Sequence, residues 1–193
     1  MLKFEKPDYK VKEYVKDSFY GKFELEPLER GFGTTLGNAL RIVMLSSLPG
    51  DAITSIKIDG VAHEFQKLDG VIEDVTAIVL NVKSIVLKNH SDDYDKILRV
   101  SAVGPCVVTA GDIEKDADIE IFNPEQVIAT LAEGGSFNME MTIANGRGYT
   151  RSEENKETFK NNKMNVIAVD SLYSPIERIN YEVENARVGQ NNN

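Results

Sequence analysis

The stretch LERGFGTTLGNALR at residues 28–41, continued by IVMLSSLPG at residues 42–50, decides the fold of the first part of the chain. A glycine-rich turn opens it, and either Thr34 or Thr35 can cap a helix that follows. Pro49 and the glycine after it end that helix. The stretch therefore predicts a turn, a helix of about three to four turns and a sharp stop.

One stripe of this predicted helix is apolar or small at 100° per residue, and it consists of Leu36, Ala39, Leu40, Val43, Met44 and Ser47. Ile42 and Leu45 lie well off that stripe, on the opposite side. The pattern therefore predicts a helix that is buried on more than one side. Such a helix is either the centre of its own domain core or a helix packed against a second subunit, and periodicity leaves both open.

The rest of the chain is mostly β-rich. Alternating polar and apolar residues predict strands at residues 20–28 and 52–59, and apolar residues at helical spacing predict a short helix at residues 69–81. Further strands are predicted at residues 84–88, 97–103, 106–110, 118–122, 126–131, 137–144, 166–169 and 176–188. Residues 151–163 are polar without a pattern, which predicts a mobile surface loop. The order of elements indicates an α+β fold with a mostly antiparallel sheet in the middle.

Composition excludes several classes of protein. The 193 residues are 41% hydrophobic, and no run approaches the length of a membrane span, so no membrane partner is expected. The net charge is −9 and no basic patch with aromatic residues is visible, which argues against direct nucleic-acid binding. One cysteine, Cys106, forms no internal disulfide, and with only two histidines no zinc site is predicted. A cytoplasmic location is the natural interpretation.

No catalytic set emerges from the motifs, and no metal or cofactor is predicted. Cys106 has no histidine nearby in sequence, and the paired acids are adjacent rather than convergent. The glycines between Gly31 and Gly37 have the wrong register for a dinucleotide fingerprint, so a small nucleotide-binding enzyme is only a distant alternative. The GRGY sequence at residues 146–149 suits either a hairpin turn or the recognition of a partner.

An ordered set of motifs resembles the amino-terminal region of the bacterial RNA polymerase alpha subunit. The set begins with residues 28–41 and continues with SSLPG (46–50), IDGVAHEF (58–65), DGVIED (69–74), VTAGDI (108–113), GRGY (146–149), YSPIER (173–178) and YEVENARV (181–188). Each string is weak alone, but their common order is highly specific to that family.

The resemblance implies a two-part α+β fold and a subunit that carries no catalytic residues of its own. Residues 1–50 and 175–193 would form a dimerisation part, and residues 51–174 would form an inserted β-rich domain. Two alpha subunits would form a homodimer that docks the beta-type and beta-prime-type subunits of a nucleotidyl-transferring enzyme. No cofactor is implied, and no direct DNA contact is expected without the family's carboxy-terminal domain.

The resemblance also implies roles for individual residues. Those that match the dimer helix are Phe32, Leu36, Leu40 and Val43. Those in segments that face the beta-type subunit are Glu29, Arg30, Asn38, Arg41, Ser46 and His63. Those that match the region near the beta-prime-type subunit are Lys83, Val169 and Asp170.

Two departures from the family bear on function. Ile42 stands where family members usually carry a second arginine after Arg41, so docking to the beta-type subunit is expected to be weakened or altered. The sequence stops at residue 193, where the family continues with a strand, a second dimer helix, a linker and a DNA-binding domain. An alternative is therefore a shortened regulator or decoy that binds one large subunit without dimerising.

Overall fold

The computed structural model describes residues 6–16, 19–94, 96–159 and 164–185, which form three α-helices and twelve strands. The helices are α1 (Phe32–Ser46), α2 (Val75–Lys83) and α3 (Ser152–Thr158). The strands are β1 (Asp8–Val15), β2 (Tyr20–Glu26), β3 (Pro49–Ile58), β4 (Leu87–Asn89), β5 (Ile97–Val103), β6 (Cys106–Thr109), β7 (Ile119–Ile121), β8 (Val127–Leu131), β9 (Ser136–Arg147), β10 (Tyr149–Thr150), β11 (Ile167–Ala168) and β12 (Ser171–Leu172).

The chain divides into two compact units. The smaller consists of residues 1–44 and 178–193, and the larger of residues 45–177. Domain boundaries after residues 50 and 174 stay a prediction. None of the helices in the described ranges is long and apolar enough to cross a membrane.

The larger unit is organised around a four-stranded antiparallel sheet in the order β11-β3-β9-β5. β3 pairs along its whole length with residues 139–147 of β9, with Ile56 opposite Met141, and a bulge interrupts the register between Ile53 and Ser55. Along β9, buried residues alternate with more exposed ones, as expected of a strand with one face on the core. Met139 and Met141 are both at most 2% exposed.

Helix α2 covers this core and begins later than the sequence predicts. Asp74 caps it by accepting a hydrogen bond from the backbone N–H of Ala77 at 2.8 Å. The preceding residues cannot join the helix, because Gly70 has a φ of +78° and Val71 bridges to Leu131 instead. The expectation of a helix from residue 69 is therefore wrong, although its apolar face over residues 75–82 is confirmed.

Residues 151–163 were expected to be a mobile loop, and that prediction is wrong for their first half. Residues Ser152–Thr158 form α3, whose Asn155 is only 4% exposed. Its side-chain amide donates to the carbonyl of Val169 at 2.7 Å and to Oγ of Ser171 at 2.9 Å. One buried asparagine thus holds a helix whose sequence is otherwise polar. Residues 160–163 lie outside the described residues.

The smaller unit contains a β-hairpin and most of α1. β1 pairs with β2 in antiparallel register from Asp8–Glu26 to Val15–Tyr20. Strand β1 was not predicted from the sequence. The strand expected at residues 176–188 is absent from residues 176–185, which have no regular secondary structure, and residues 186–188 lie outside the described range.

Helix α1 begins at Phe32, earlier than the threonine caps predict, and none of its residues, all of which the structure describes, is buried. The expectation that it is buried on more than one side is therefore wrong for the isolated chain. The fold class, α+β with antiparallel sheets, is confirmed.

Candidate functional site

The four residues of α1 that match the family's dimer helix form an apolar stripe, the α1 stripe, which is largely exposed. Phe32 is 59% exposed, Leu40 43% and Val43 50%, while Leu36 is half-buried. These four residues fall within about one quarter of the helix circumference at 100° per residue. An apolar stripe of this kind on a folded chain is typical of a surface that another protein covers. Ile42 lies on a different side of α1 and is 61% exposed.

Two glycines beside the stripe receive another segment of the same chain. A Cβ added to Gly33 would lie 2.6 Å from a methyl carbon of Val183, and one added to Gly37 would lie 2.5 Å from the ring of Tyr181. Both distances are shorter than real side chains allow, so glycine is required for this close approach. These two glycines thus have a packing role, because the side chains of Val183 and Tyr181, rather than a ligand, occupy the space beside them.

A second cluster joins three separate parts of the larger unit. The ammonium group of Lys83, at the end of α2, lies 3.1 Å from Oδ2 of Asp170 and 3.4 Å from the hydroxyl of Tyr149. The Lys83 nitrogen also lies 5.4 Å from the centre of the Tyr149 ring, a cation–π distance. Oδ1 of Asp170 accepts from the backbone N–H of Ser152 at 2.7 Å. Two residues assigned to the same partner, Lys83 and Asp170, are therefore in direct contact.

The cluster is electrostatically biased toward its charged form. The Tyr149 hydroxyl, the Ser152 N–H and Lys83 lower the pKa of Asp170 from 3.8 to about 2, against the opposing effect of burial. The bond to Asp170 also raises the pKa of Lys83, and burial again opposes that change. Both side chains are therefore charged at neutral pH and neutralise one another.

Val169 requires a correction. Its side chain is fully buried in the core, and its backbone N–H donates to the carbonyl of Thr54 at 2.9 Å. A side chain with no exposed surface in the folded chain offers nothing for a partner to contact. We therefore replace the expected contact by a structural role.

His63 lies in a short loop that is fixed by its own hydrogen bonds. Gln66 accepts from the backbone N–H groups of Ala62 and His63, the latter at 3.1 Å. Nδ1 of His63 accepts from the backbone N–H of Phe65 at 3.2 Å. Phe65 is 81% exposed, so this ordered loop presents an aromatic ring beside the histidine.

The remaining residues assigned to the beta-type subunit are all on the surface of the folded chain. They are Glu29, Arg30, Asn38, Arg41 and Ser46. Their contact with that subunit stays a prediction. Their exposure leaves each of them accessible to a partner.

The described residues do not bring nucleophilic or metal-binding side chains together as a small-molecule active site would. Cys106 is half-buried and its thiol lies 3.5 Å from the carbonyl oxygen of Val103. In the part of the chain that the structure describes, no three His, Cys, Asp or Glu side chains are grouped to hold a metal ion.

The surface residue that sequence reasoning missed is Leu172, which is 51% exposed and pairs with Tyr149 across β10 and β12. No pattern in a two-residue strand could have revealed it.

Comparison with known proteins decides the family. A family model described as the RNA polymerase Rpb3/RpoA insert domain matches residues 56–174. The chain belongs to this family. The matched range contains α2, α3 and all the strands of the larger unit except the beginning of β3.

Two relatives extend the similarity beyond the insert domain. A protein of Leuconostoc mesenteroides subsp. mesenteroides named DNA-directed RNA polymerase subunit alpha is 52% identical over 189 residues. A protein of Moorella thermoacetica with the same name is 55% identical over 190 residues. Each alignment covers 98% of this chain and 59% of the relative. The predicted resemblance to the amino-terminal region of alpha subunits is thus confirmed, and the chain spans 59% of the length of these relatives.

Proposed function

We propose that the chain is a non-catalytic assembly subunit of a cytoplasmic DNA-directed RNA polymerase, a nucleotidyltransferase. It pairs with a second copy of itself through the α1 stripe of Phe32, Leu36, Leu40 and Val43. The pair then docks the beta-type and beta-prime-type subunits. The similarity to alpha subunits over 98% of the chain supports this assignment.

The exposed stripe of α1 is the observation that carries the proposal. A side chain such as Phe32, 59% exposed on a folded helix, gains free energy when a partner removes it from water. The stripe is narrow enough to be covered by one partner helix at the usual separation of about 8–10 Å. A second copy supplies the same stripe, and the two stripes would cover each other about a two-fold axis.

The two sets of exposed residues are assigned to different large subunits. Glu29, Arg30, Asn38, Arg41, Ser46 and His63 face the beta-type subunit, and the Lys83–Asp170 pair faces the beta-prime-type subunit. Arg41 contributes a planar guanidinium suited to a carboxylate of the partner. Ile42 offers no such charge, so we expect the beta-type contact to depend more on apolar area here than on ion pairs.

Light scattering after size-exclusion chromatography tests the self-association. We expect the chain to elute as a dimer, Leu40→Glu to elute as a monomer, and Val103→Glu to remain a dimer. Val103 is a matched control because it is an exposed apolar residue, 75% accessible, on β5. Glutamate at position 40 places a charge in the apolar contact, where desolvation of the carboxylate opposes association.

Co-expression with the two large polymerase subunits tests the docking. Affinity capture of the chain should recover both of them. A monomer that captures neither would reject the assembly role, and a monomer that captures only one would favour a regulator that binds a single large subunit.

A further inference from the structure

Asn145 and Gly146 are the only asparagine–glycine sequence among the 193 residues, and they lie near the end of β9. Asparagine is a thermally labile residue, because the backbone nitrogen of the next residue can attack its side-chain amide. Glycine in the second position permits this attack best, since it has no Cβ to obstruct the approach. Asn145 is exposed, so water reaches its side chain. This pair of residues therefore favours a reaction of the chain with itself.

The reaction is a deamidation in two steps. The backbone nitrogen of Gly146 bonds to Cγ of Asn145 while the bond from Cγ to the side-chain nitrogen breaks. That nitrogen leaves as ammonia and takes the proton of the Gly146 N–H, and a five-membered succinimide ring remains. Water then opens the ring at either carbonyl, which leaves an aspartate or an isoaspartate at position 145. Nothing is oxidised or reduced, and water is the only co-reactant.

Pairing of β3 with β9 keeps the two residues away from the geometry of this reaction. Asn145 lies opposite Asp51, and the next pair toward the strand end is Gly50 with Gly146. Closure of the ring needs a ψ of Asn145 far from the value of about +135° in an antiparallel strand. A Cβ added to Gly146 would lie 2.7 Å from the ring of Tyr173, so this buried tyrosine covers the glycine. The paired strand therefore blocks the attack.

Asp51 also restrains the side chain that has to be attacked. The side-chain amide of Asn145 donates to Oδ1 of Asp51 at 3.1 Å. Oδ2 of Asp51 accepts from the backbone N–H of Asn89 at 2.9 Å, which fixes the carboxylate from β4. Hydrogen bonds to an ionised acceptor are stronger than those between neutral groups. The amide of Asn145 must break such a bond before it can turn toward Gly146.

Opening of this end of the sheet requires the loss of few interactions between the strands. The outermost pair of β3 and β9 is Pro49 with Arg147, and a proline has no N–H to donate. The next pair consists of two glycines, which have no side chains to pack across the strands. Strand ends with few contacts open locally at a lower free energy than the whole fold. Release of these pairs and of the Asp51 bond is sufficient to free Asn145.

We propose that Asn145 and Gly146 form a deamidation site that Asp51 and Tyr173 keep unreactive in the folded chain, and that reacts when this end of β3 and β9 opens. Refolding does not restore the amide. The new carboxylate lies opposite Asp51, where like charges destabilise a strand pair. A chain that has opened is thus permanently marked where β9 leads into the GRGY sequence. The proposal does not depend on the assembly role.

Peptide mapping by mass spectrometry of the full 193-residue chain measures the conversion of Asn145 over time. We expect conversion to be at least about tenfold slower in native buffer than in urea, because only the open form reacts. Asn138 is the internal control, since it is exposed on the same strand but is followed by Met139, and it should stay unchanged. Equal rates for Asn145 in buffer and in urea would overturn the protection. An unreactive Asn145 in urea would overturn the site itself.

Asp51→Ala tests the restraint on the side chain. We expect conversion of Asn145 to be about tenfold faster in native buffer and unchanged in urea. The control is Asp59→Ala, because Asp59 is an exposed acid just beyond the other end of β3. Urea unfolding shows whether each variant is folded, and the comparison of buffer with urea needs no variant. An unchanged rate in folded Asp51→Ala would overturn the role of Asp51.

Asn145→Asp reproduces one product of the reaction. We expect it to lower the midpoint of urea unfolding, and we expect Asp51→Asn in the same chain to restore part of the loss. The carboxylate and the amide then exchange places across the strand pair, and the like charges are removed. An unfolding midpoint of Asn145→Asp equal to that of the unchanged chain would overturn the proposed effect of deamidation on the sheet.

Discussion

Asp170 accepts a hydrogen bond at 2.7 Å from the backbone N–H of Ser152, the first residue of α3. The first N–H groups of a helix have no partner within the helix, so this carboxylate satisfies one of them. The partial positive charge at the helix start also favours the ionised acid. The same side chain holds Lys83 at the end of α2, so one carboxylate ties together the ends of two helices.

Replacing Asp170 by Asn should make the free energy of unfolding of the larger unit depend less on pH under acidic conditions. Its pKa of about 2 in the folded chain lies below the ordinary 3.8, so the folded state prefers the carboxylate. The resulting stabilisation is complete above pH 3.8 and is lost as the pH falls through about 2. At pH 7 we expect Asp170→Asn to lower the free energy of unfolding by about 1 kcal/mol, less than the full shift implies, because the side chain is 32% exposed.

Urea unfolding of both proteins at several pH values measures this difference. The difference should shrink between pH 4 and pH 2. The control is Asp92→Asn, because Asp92 is an exposed carboxylate in a loop. A difference that stays constant over that range would contradict the ionic role of Asp170.

Asn155→Ala should destabilise α3 and residues 169–171, to which Asn155 is hydrogen-bonded. The substitution removes the 2.7 Å donor to the carbonyl of Val169 and the 2.9 Å donor to the hydroxyl of Ser171, which costs about 1–3 kcal/mol. Glu154 on the same helix is exposed, so Glu154→Ala should change the free energy of unfolding by less than about 0.5 kcal/mol. Hydrogen exchange of the α3 amides compares the two variants. Equal protection in both would show that Asn155 does not anchor the helix.

Gly37→Ala should disturb the packing of residues 181–183 on α1. Alanine normally favours a helix over glycine by about 1 kcal/mol, but here the new methyl group meets the ring of Tyr181. We expect a net loss of about 1–2 kcal/mol, within the usual cost of overpacking. Hydrogen exchange of the α1 amides reports the effect.

A double-mutant cycle isolates that contact. In a chain that carries Tyr181→Ala, Gly37→Ala should be neutral or stabilising, because the clash is removed while the helix preference remains. Thr35→Ala serves as the control, since Thr35 is exposed. If the cost of Gly37→Ala is the same in both backgrounds, Tyr181 is not its cause.

Glu73→Gln should loosen the turn before α2. The Glu73 carboxylate accepts from the backbone N–H of Thr130 at 2.6 Å and from the Thr130 hydroxyl at 2.8 Å, which joins this turn to β8. A glutamine can replace only part of these charge-assisted bonds, so we expect a loss of about 1–2 kcal/mol in urea unfolding. Asp69→Asn, an exposed acid in the same turn, should have little effect, and a similar loss there would contradict the role of Glu73.

Strands that alternate clearly could be predicted from sequence. β5 runs over Ile97–Val103 as expected, because its inward residues are apolar and it is flanked by Lys96 and Gly104. β1 was missed, although Tyr9 and Val11 alternate with Lys10 and Lys12. Lys12 pairs with Glu24 across the hairpin at 3.1 Å, and this contact depends on the register of two strands that local pattern does not give.

Elements and sites fixed by distant contacts could not be predicted from local pattern. α3 depends on bonds from Asn155 to residues far along the chain, and a polar helix of seven residues has no apolar stripe. The contact between Lys83 and Asp170 joins two residues far apart in sequence, and only the family resemblance grouped them. That resemblance said nothing of Leu172, whose position follows from the pairing of β10 with β12.

The placement of Tyr181 and Val183 on the glycines of α1 sets an order of events during synthesis. The ribosome releases α1 early, and the residues that complete its glycine face follow only after the whole larger unit has been made. At about 5–20 residues per second, that interval is on the order of ten seconds. A nascent chain therefore cannot possess the finished smaller unit, and any partner that requires it must wait until translation has passed Val183.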